Sequence, residues 1–83
     1  MDRYFFDLSN GFGDMKDSDG QQLPSLHDVE KEVGRILADV IRDSLGSERH
    51  GHIGVSARDE SGRIVCTGNV LFSLRSGQAG KAE

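Results

Sequence analysis

The sequence is poor in the residues on which secreted, membrane-bound and ligand-enclosing domains depend. Its 83 residues include one cysteine, one proline, one tyrosine, four phenylalanines and no tryptophan. A single cysteine excludes a disulfide within the chain, and so few aromatic residues leave little core around which to build a deep ligand cavity. No apolar run approaches the roughly 20 residues that a membrane-spanning helix needs, and Met1 to Arg3 lead into an alternating segment rather than a signal peptide. We therefore expect a cytoplasmic protein with no membrane association and no small-molecule ligand.

A basic surplus is also missing. The chain has 14 acidic and 10 basic residues, which gives a net charge of −4 at pH 7. Nucleic-acid-binding domains usually carry a basic stripe that displaces phosphate counterions, whereas arginine and lysine are scattered along this chain. The central helical segment is edged with acidic residues: Asp28, Glu30, Glu32, Asp39 and Asp43. We therefore expect no nucleic-acid partner.

The chain opens with a strand pattern. Arg3–Ser9 alternates and is rich in aromatic residues, which predicts a β-strand. One face of this strand would carry Tyr4, Phe6 and Leu8, and the other would carry Phe5 and Asp7. Residues 10–13 supply a turn, and a short second strand is expected over residues 14–18, closed by the turn signal at 19–20.

A long amphipathic helix follows. Ser25 is a good N-cap and Asp28, three residues later, completes an acidic variant of the capping box. Gly46 marks the expected C-terminal stop, about 20 residues on. Apolar residues recur at three- and four-residue spacing along the segment: Leu26, Val29, Val33, Ile36, Leu37, Val40 and Ile41. This stripe predicts one face packed against a sheet.

Two further strands complete the pattern. His52–Arg58 alternates, and residues 59–62 are typical of a hairpin made of a type I turn with a glycine bulge. The last strand is expected over residues 63–75, with a bulge or bend at Gly68 and Asn69. Its inward-facing residues would be Ile64, Cys66, Val70, Phe72 and Leu74. Residues 76–83 are polar and glycine-rich, which is typical of a frayed tail.

These elements predict an α+β fold with two layers and the order ββαββ. Residues 1–75 would form one domain, in which a four-stranded antiparallel sheet carries the helix on one face. A right-handed crossover after the second strand favours the strand order 2-1-3-4, which places the aromatic first strand inside the sheet.

Several of these segments together resemble one known family. They are Arg3–Phe6 at the start, an Asp-rich turn that ends in Gly20, the sequence from Leu23 to Leu26 that opens the helix, and Asp59–Arg63 between the last two strands. In this order they are similar to a family of short, mostly alphaproteobacterial proteins, a domain of unknown function (family 6894). The resemblance covers residues 2–74 and departs from the usual alanine-rich helix at several valines and at Gly34. The resemblance supports the α+β fold described above, and it provides no catalytic residues that could be assigned to this chain.

No segment carries the chemistry of an active or metal-binding site. Residues 14–20 resemble a calcium loop, but alignment of Gly20 with its invariant glycine places Met15 and Leu26 at ligand positions. Three histidines and the cysteine are the other candidate ligands or nucleophiles: His27, His50, His52 and Cys66. Nothing in their spacing brings them together. We expect no catalytic, cofactor or metal site, and a protein that is not an enzyme; a small-ligand or metal-binding role is the weakest alternative.

An interaction surface is the stronger hypothesis. A single helix covers only one side of the sheet, so Phe5, Val65 and Leu71 in the outward phase would form an open, partly apolar surface. The long apolar last strand would also be an edge that invites pairing. We therefore expect a non-enzymatic protein-interaction module that binds itself, as a homodimer, or another protein. An alternative is a regulatory partner that neutralises a toxin, by analogy with small antitoxins of similar layout.

Overall fold

The computed structural model describes residues 1–11 and 13–77 and confirms the α+β class. The described elements are β1 (Asp2–Ser9), β2 (Asp14–Met15), β3 (Gln21–Leu23), α1 (Leu26–Leu45), β4 (His50–Arg58) and β5 (Ile64–Ser73). All strand pairs are antiparallel, and α1 packs against β4 and β5 on one side of the sheet. The predicted tail from Ser76 onwards lies mostly outside the described residues.

Within residues 1–11 and 13–77 the sheet has five strands rather than the expected four. Its path is β2-β1-β4-β5, which matches the expected order 2-1-3-4, while β3 also pairs with β1. The expected second strand over residues 14–18 is thus replaced by two short strands on one edge. β2 pairs with the end of β1 at Leu8 and Ser9, and β3 pairs with its start at residues 2–4.

A carboxylate explains why this edge is divided. Between β2 and β3 the chain leaves the ladder, and the side chain of Asp17 takes over the pairing. Its Oδ2 accepts a hydrogen bond from the Phe6 backbone N–H at 3.1 Å, while its own N–H donates to Asp7 Oδ1 at 3.0 Å. The loop is therefore bonded to the centre of β1 through side chains, where a continuous strand would use its backbone.

The helix begins and ends as the sequence predicts. Ser25 is the N-cap, with its Oγ accepting from the Asp28 N–H at 3.3 Å, and Gly46 closes the C-terminus in a right-handed conformation. Val29 and Val33 are buried against the sheet. The core is small and lies entirely between the helix and the sheet; its buried residues are Phe6, Val29, Val33, Ile53, Val55 and Ala57.

The irregularity in β5 falls at Val65, so the expected position at Gly68 and Asn69 is wrong. Ala57 pairs with Cys66 and Arg58 pairs with Ile64, which leaves Val65 as the extra residue of a β-bulge. The ladder continues without a break through Gly68 and Asn69. Because a bulge shifts the side-chain phase by one residue, Ile64 changes from the inward to the outward face.

Gly68 has a different role from the one expected. A Cβ at this position would lie 2.7 Å from Val33 Cγ1 and 2.9 Å from Leu37 Cδ1. The glycine therefore permits the helix to approach β5 closely.

The β4–β5 hairpin confirms the predicted turn. Gly62 has φ +90°, its N–H bonds the Asp59 carbonyl at 3.0 Å, and the Asp59 N–H bonds the Arg63 carbonyl at 2.9 Å. The Asp59 side chain also accepts from the backbone N–H groups of Ser61 and Arg63. Its carboxylate therefore organises the turn.

Candidate functional site

The candidate site is the side of the sheet that α1 leaves uncovered, which we call the open face. Cross-strand pairing arranges its residues in rows across β1, β4 and β5. In the order β1, β4 and β5, three rows are Phe5 with Arg58 and Ile64, Asp7 with Ser56 and Thr67, and Ser9 with Gly54 and Asn69. Two further rows join only β4 and β5, and they are His52 with Leu71 and His50 with Ser73. The open face is thus mainly polar in the centre, with apolar residues toward two corners.

Phe5 lies on this face as predicted, but it is half-buried. The guanidinium carbon of Arg58 lies 4.7 Å from the centre of its ring, a cation–π arrangement. On its other side the Phe5 ring packs so closely against Gly20 that a Cβ there would lie 2.9 Å from Phe5 Cε2. Most of the Phe5 ring is therefore already in contact within the monomer.

Leu71 is on the open face and Val65 is not. Leu71 is 82% exposed and Ile64, which the sequence placed inward, is 59% exposed. Val65 is half-buried and packs against the core on the helix side. The prediction for Val65 is therefore wrong, because the bulge at this residue reverses the phase of β5 at its start. Ile64 takes its place on the open face.

A shallow trough of about 490 Å³ crosses the open face. Its lining includes the polar side chains of Ser56, Thr67 and Asn69, with Met15 and Ile64 also among the lining residues. His52 Nε2 lies 3.0 Å from Asn69 Oδ1 within the same lining. The trough offers hydrogen-bonding groups beside two exposed apolar side chains, a combination that is typical of protein contact surfaces.

An ion-pair network fixes one end of this surface. Arg58 Nε donates to Asp7 Oδ2 at 2.8 Å, and Arg58 Nη2 donates to the Asp17 carbonyl at 2.9 Å. Partial burial acts to raise the pKa of Asp7, but its hydrogen bonds from Arg58 and from the Asp17 N–H, together with the charge of Arg58, hold it below its ordinary value. The same contacts hold Arg58 over Phe5, so side chains at this end of the face are bonded to one another within the monomer.

The acidic loop is occupied by its own backbone. Asp17 Oδ1 accepts from the N–H groups of Asp19 and Gly20 at 3.0 and 3.1 Å, and Oδ2 accepts from Phe6. Partial burial opposes ionisation of Asp17, yet these three N–H donors outweigh it and lower the pKa. The resemblance to a calcium loop thus reflects a carboxylate that holds a turn.

The histidines and the cysteine do not meet. His52 projects on the open face and His27 lies exposed on α1, 3.9 Å from Glu30. Cys66 pairs with buried Ala57 on the helix side, where burial, together with the charge of Glu30, raises the pKa of its thiol. Within residues 1–11 and 13–77, no group of three or more His, Cys, Asp or Glu side chains could hold a metal ion.

Sequence reasoning missed the Arg58–Asp7 pair and the position of Ile64. Asp7 is an isolated acid in an aromatic strand, and Arg58 ends the strand that pairs with it. A buried or half-buried charge needs a partner, so Asp7 was a usable signal once β1 and β4 were taken as neighbours. Nothing local marked Val65 as a bulge.

The fold and this surface define a two-layer α+β domain with one uncovered sheet face. The sequence pattern of one family, a domain of unknown function (DUF6894), matches residues 3–71. The chain belongs to this family. Neither the curated proteins nor the solved structures gave a match. No helix in the described part of the chain is long and apolar enough to cross a membrane.

Proposed function

We propose that this domain is a non-enzymatic, cytoplasmic protein-interaction module that binds a partner protein on the open face. The observation that carries the proposal is the exposure of Leu71 and Ile64, 82% and 59%, on a sheet face that no other element of the described chain covers. Large aliphatic side chains on one face beside a trough are the kind of patch that marks contact sites.

The energetics favour a modest but specific contact. Complete burial of one aliphatic side chain stabilises an interface by about 1.5–3 kcal/mol, so Leu71 and Ile64 would act as anchors. Ser56, Thr67 and Asn69 between them would exchange water for hydrogen bonds to the partner. The Arg58–Asp7 pair keeps the surface pre-organised, which lowers the entropic cost of binding.

The chemistry of the candidate catalytic groups supports a binding role over an enzymatic one. Cys66 faces the helix with a raised pKa, which disfavours the thiolate that a nucleophile requires. His52 is on the other side of the sheet from it. A second form of the same proposal is a regulatory role, in which the domain binds and covers a toxin-like enzyme. The polar side chains of the trough would suit a partner with a hydrophilic surface.

A pull-down with a matched pair of variants tests the proposal. The tagged chain would be recovered from native extract, its companion identified by mass spectrometry, and the complex rebuilt from purified proteins. We expect Ile64→Lys to weaken this complex at least tenfold, because it places a charge in the contact. Leu26→Lys is the control, since Leu26 is 49% exposed at the start of α1, outside the open face.

Either of two results would argue against an open-face contact. One is a rebuilt complex whose affinity is the same for the wild type and for Ile64→Lys. The other is an equal loss in Ile64→Lys and Leu26→Lys, which would indicate a contact elsewhere. Partner identity then separates a toxin-like enzyme from other proteins.

A further inference from the structure

Apart from the bulge at Val65, the free edge of the sheet lacks the features that normally protect an edge strand. β5 pairs with β4 alone among the strands in residues 1–11 and 13–77. Its ten residues, Ile64–Ser73, contain no charged residue and no proline. Natural edge strands are usually short, charged, interrupted by proline or covered. The opposite edge follows this rule, since it consists of β2 and β3, two and three residues long.

The helix is apolar on the flank above this same edge. Leu37 sits over Gly68 of β5, and helical spacing places further residues on that flank. These are Gly34, Ala38, Ile41 and Leu45, with the charged Glu30 one turn earlier, near Cys66. Ala38 is exposed and Leu45 is 39% exposed.

The other flank of the helix is charged. Glu32 bonds Gln21 of β3, and Arg35 links Glu32 to Asp39. The β5 side of both layers, sheet edge and helix, therefore forms one continuous uncharged strip from Gly34 to Leu45, and Glu30 lies beyond one end of it, near Cys66.

We propose that a second copy of this chain binds this strip. The two β5 strands would pair antiparallel about Leu71, which means that the two-fold axis passes between Leu71 and the partner's Leu71. A two-fold contact requires a surface that is complementary to itself, and an uncharged strip presents no like charges to its own copy. This contact shares β5 with the trough but uses the free backbone edge of the strand rather than its open-face side chains, so the inference goes beyond the proposed function. The dimer would place two open faces side by side on one continuous sheet.

The register follows from cross-strand pairing. Pairing about Leu71 sets Leu71 against the partner's Leu71 and sets Val70 against the partner's Phe72, apolar pairs that stabilise sheets. It sets Arg75 against the partner's Thr67. Pairing about Asn69 would instead oppose Arg75 and the partner's Arg63, and like charges directly opposite are destabilising. Pairing about Leu71 also leaves the bulge at Val65 outside the paired segment.

The dimensions fit a stable interface. Because α1 packs over β4 and β5, adjacent strands about 4.8 Å apart would bring the two helices to roughly 10 Å, a normal packing distance. In that arrangement Leu45 lies near the partner's Leu37. Nine paired residues and two layers give a strip of about 30 by 20 Å, or roughly 1,200 Å² for both copies, the lower end of specific interfaces.

Light scattering and sedimentation on the purified full chain test the dimer. We expect the wild type to have twice the monomer mass and Ala38→Glu to shift the dissociation constant at least about 100-fold, because a larger and charged side chain would be buried at the contact. Gln22→Glu is the matched control: it adds the same charge at the exposed middle residue of β3, at the opposite edge, and should leave the mass unchanged. Ile64→Lys should also remain dimeric, since Ile64 lies outside the paired segment.

Disulfide trapping tests the register. In a Cys66→Ala background, Leu71→Cys should oxidise to a covalent dimer, because directly opposed Cα atoms lie about 4.5–5.5 Å apart, within disulfide range. Asn69→Cys should not. A wild-type monomer at high micromolar concentration, a dimer that tolerates Ala38→Glu, or faster trapping of Asn69→Cys than of Leu71→Cys would overturn the proposal. A monomer that still loses its partner in Ile64→Lys would leave the proposed function standing.

Discussion

The substitution Asp17→Asn isolates the contribution of one carboxylate to the edge of the sheet. The asparagine keeps the shape of the side chain and its Oδ1, so the N–H groups of Asp19 and Gly20 retain their acceptor. The amide nitrogen replaces Oδ2, however, and would then face the Phe6 N–H, which is also a donor. The substitution therefore removes one charged hydrogen bond and leaves a half-buried N–H unpaired.

The expected cost is about 2 kcal/mol, since a hydrogen bond to a charged group contributes about 1.5–3 kcal/mol. For a domain of this size, 1 kcal/mol corresponds to about 4–8 °C in Tm, so we expect Asp17→Asn to melt roughly 8–16 °C lower. The measurement is urea and thermal unfolding followed by circular dichroism. Asp19→Asn is the control, because the contacts of Asp19 in this loop are made by its backbone N–H and carbonyl.

The difference between wild type and Asp17→Asn should also depend on pH. Because the folded-state pKa of Asp17 is lowered, the unfolded chain takes up the proton first as the pH falls. The stabilisation is therefore complete above the unfolded-state pKa, near 4, and is lost as the pH drops through the folded-state pKa. A cost of Asp17→Asn below 0.5 kcal/mol at pH 7, or one that is unchanged at pH 3, would refute this account of the loop.

Two glycines should respond to alanine in opposite directions. Gly34→Ala should stabilise the domain by about 1 kcal/mol, because Gly34 is exposed within a helix and its Cβ would meet nothing within 4 Å; a raised Tm checks this, and a lowered one would contradict it. Gly68→Ala should destabilise it by about 1–3 kcal/mol, since the added Cβ would lie 2.7 Å from Val33 Cγ1. Urea unfolding measures this cost. If the contact with Val33 is its cause, Gly68→Ala should destabilise the Val33→Ala variant less than it destabilises the wild type.

Local signals explain why the helix and the last turn were predictable. The limits of α1 depend on Ser25, on the apolar stripe and on Gly46, all of which act within a few residues. The turn at Asp59 likewise closes on its own backbone and side-chain bonds. These contacts join residues that are only a few positions apart in the chain, so a short stretch of sequence is enough to predict them.

The edge at β2 and β3 was not predictable in the same way. Its division depends on Asp17 reaching Phe6, eleven residues away. The sequence showed an acidic turn in this segment, but it did not show which backbone N–H group would donate to the Asp17 carboxylate. The side-chain phase of β5 was not predictable for the same reason, since it also depends on distant residues. The bulge at Val65 is defined by the pairing with β4, in which consecutive residues Ala57 and Arg58 pair with Cys66 and Ile64.

The sequence by itself determined the class of fold, the length and inward face of the helix, and the presence of one sheet face without a cover. Those features follow from hydrophobic period and turn chemistry, which are local. Tertiary structure alone decided that Ile64 rather than Val65 reaches the open face, that Arg58 covers Phe5, and that the apolar flank of α1 lies above the β5 edge. Each of these depends on the register between distant strands, and a shift of one residue in register exchanges the two faces of a strand.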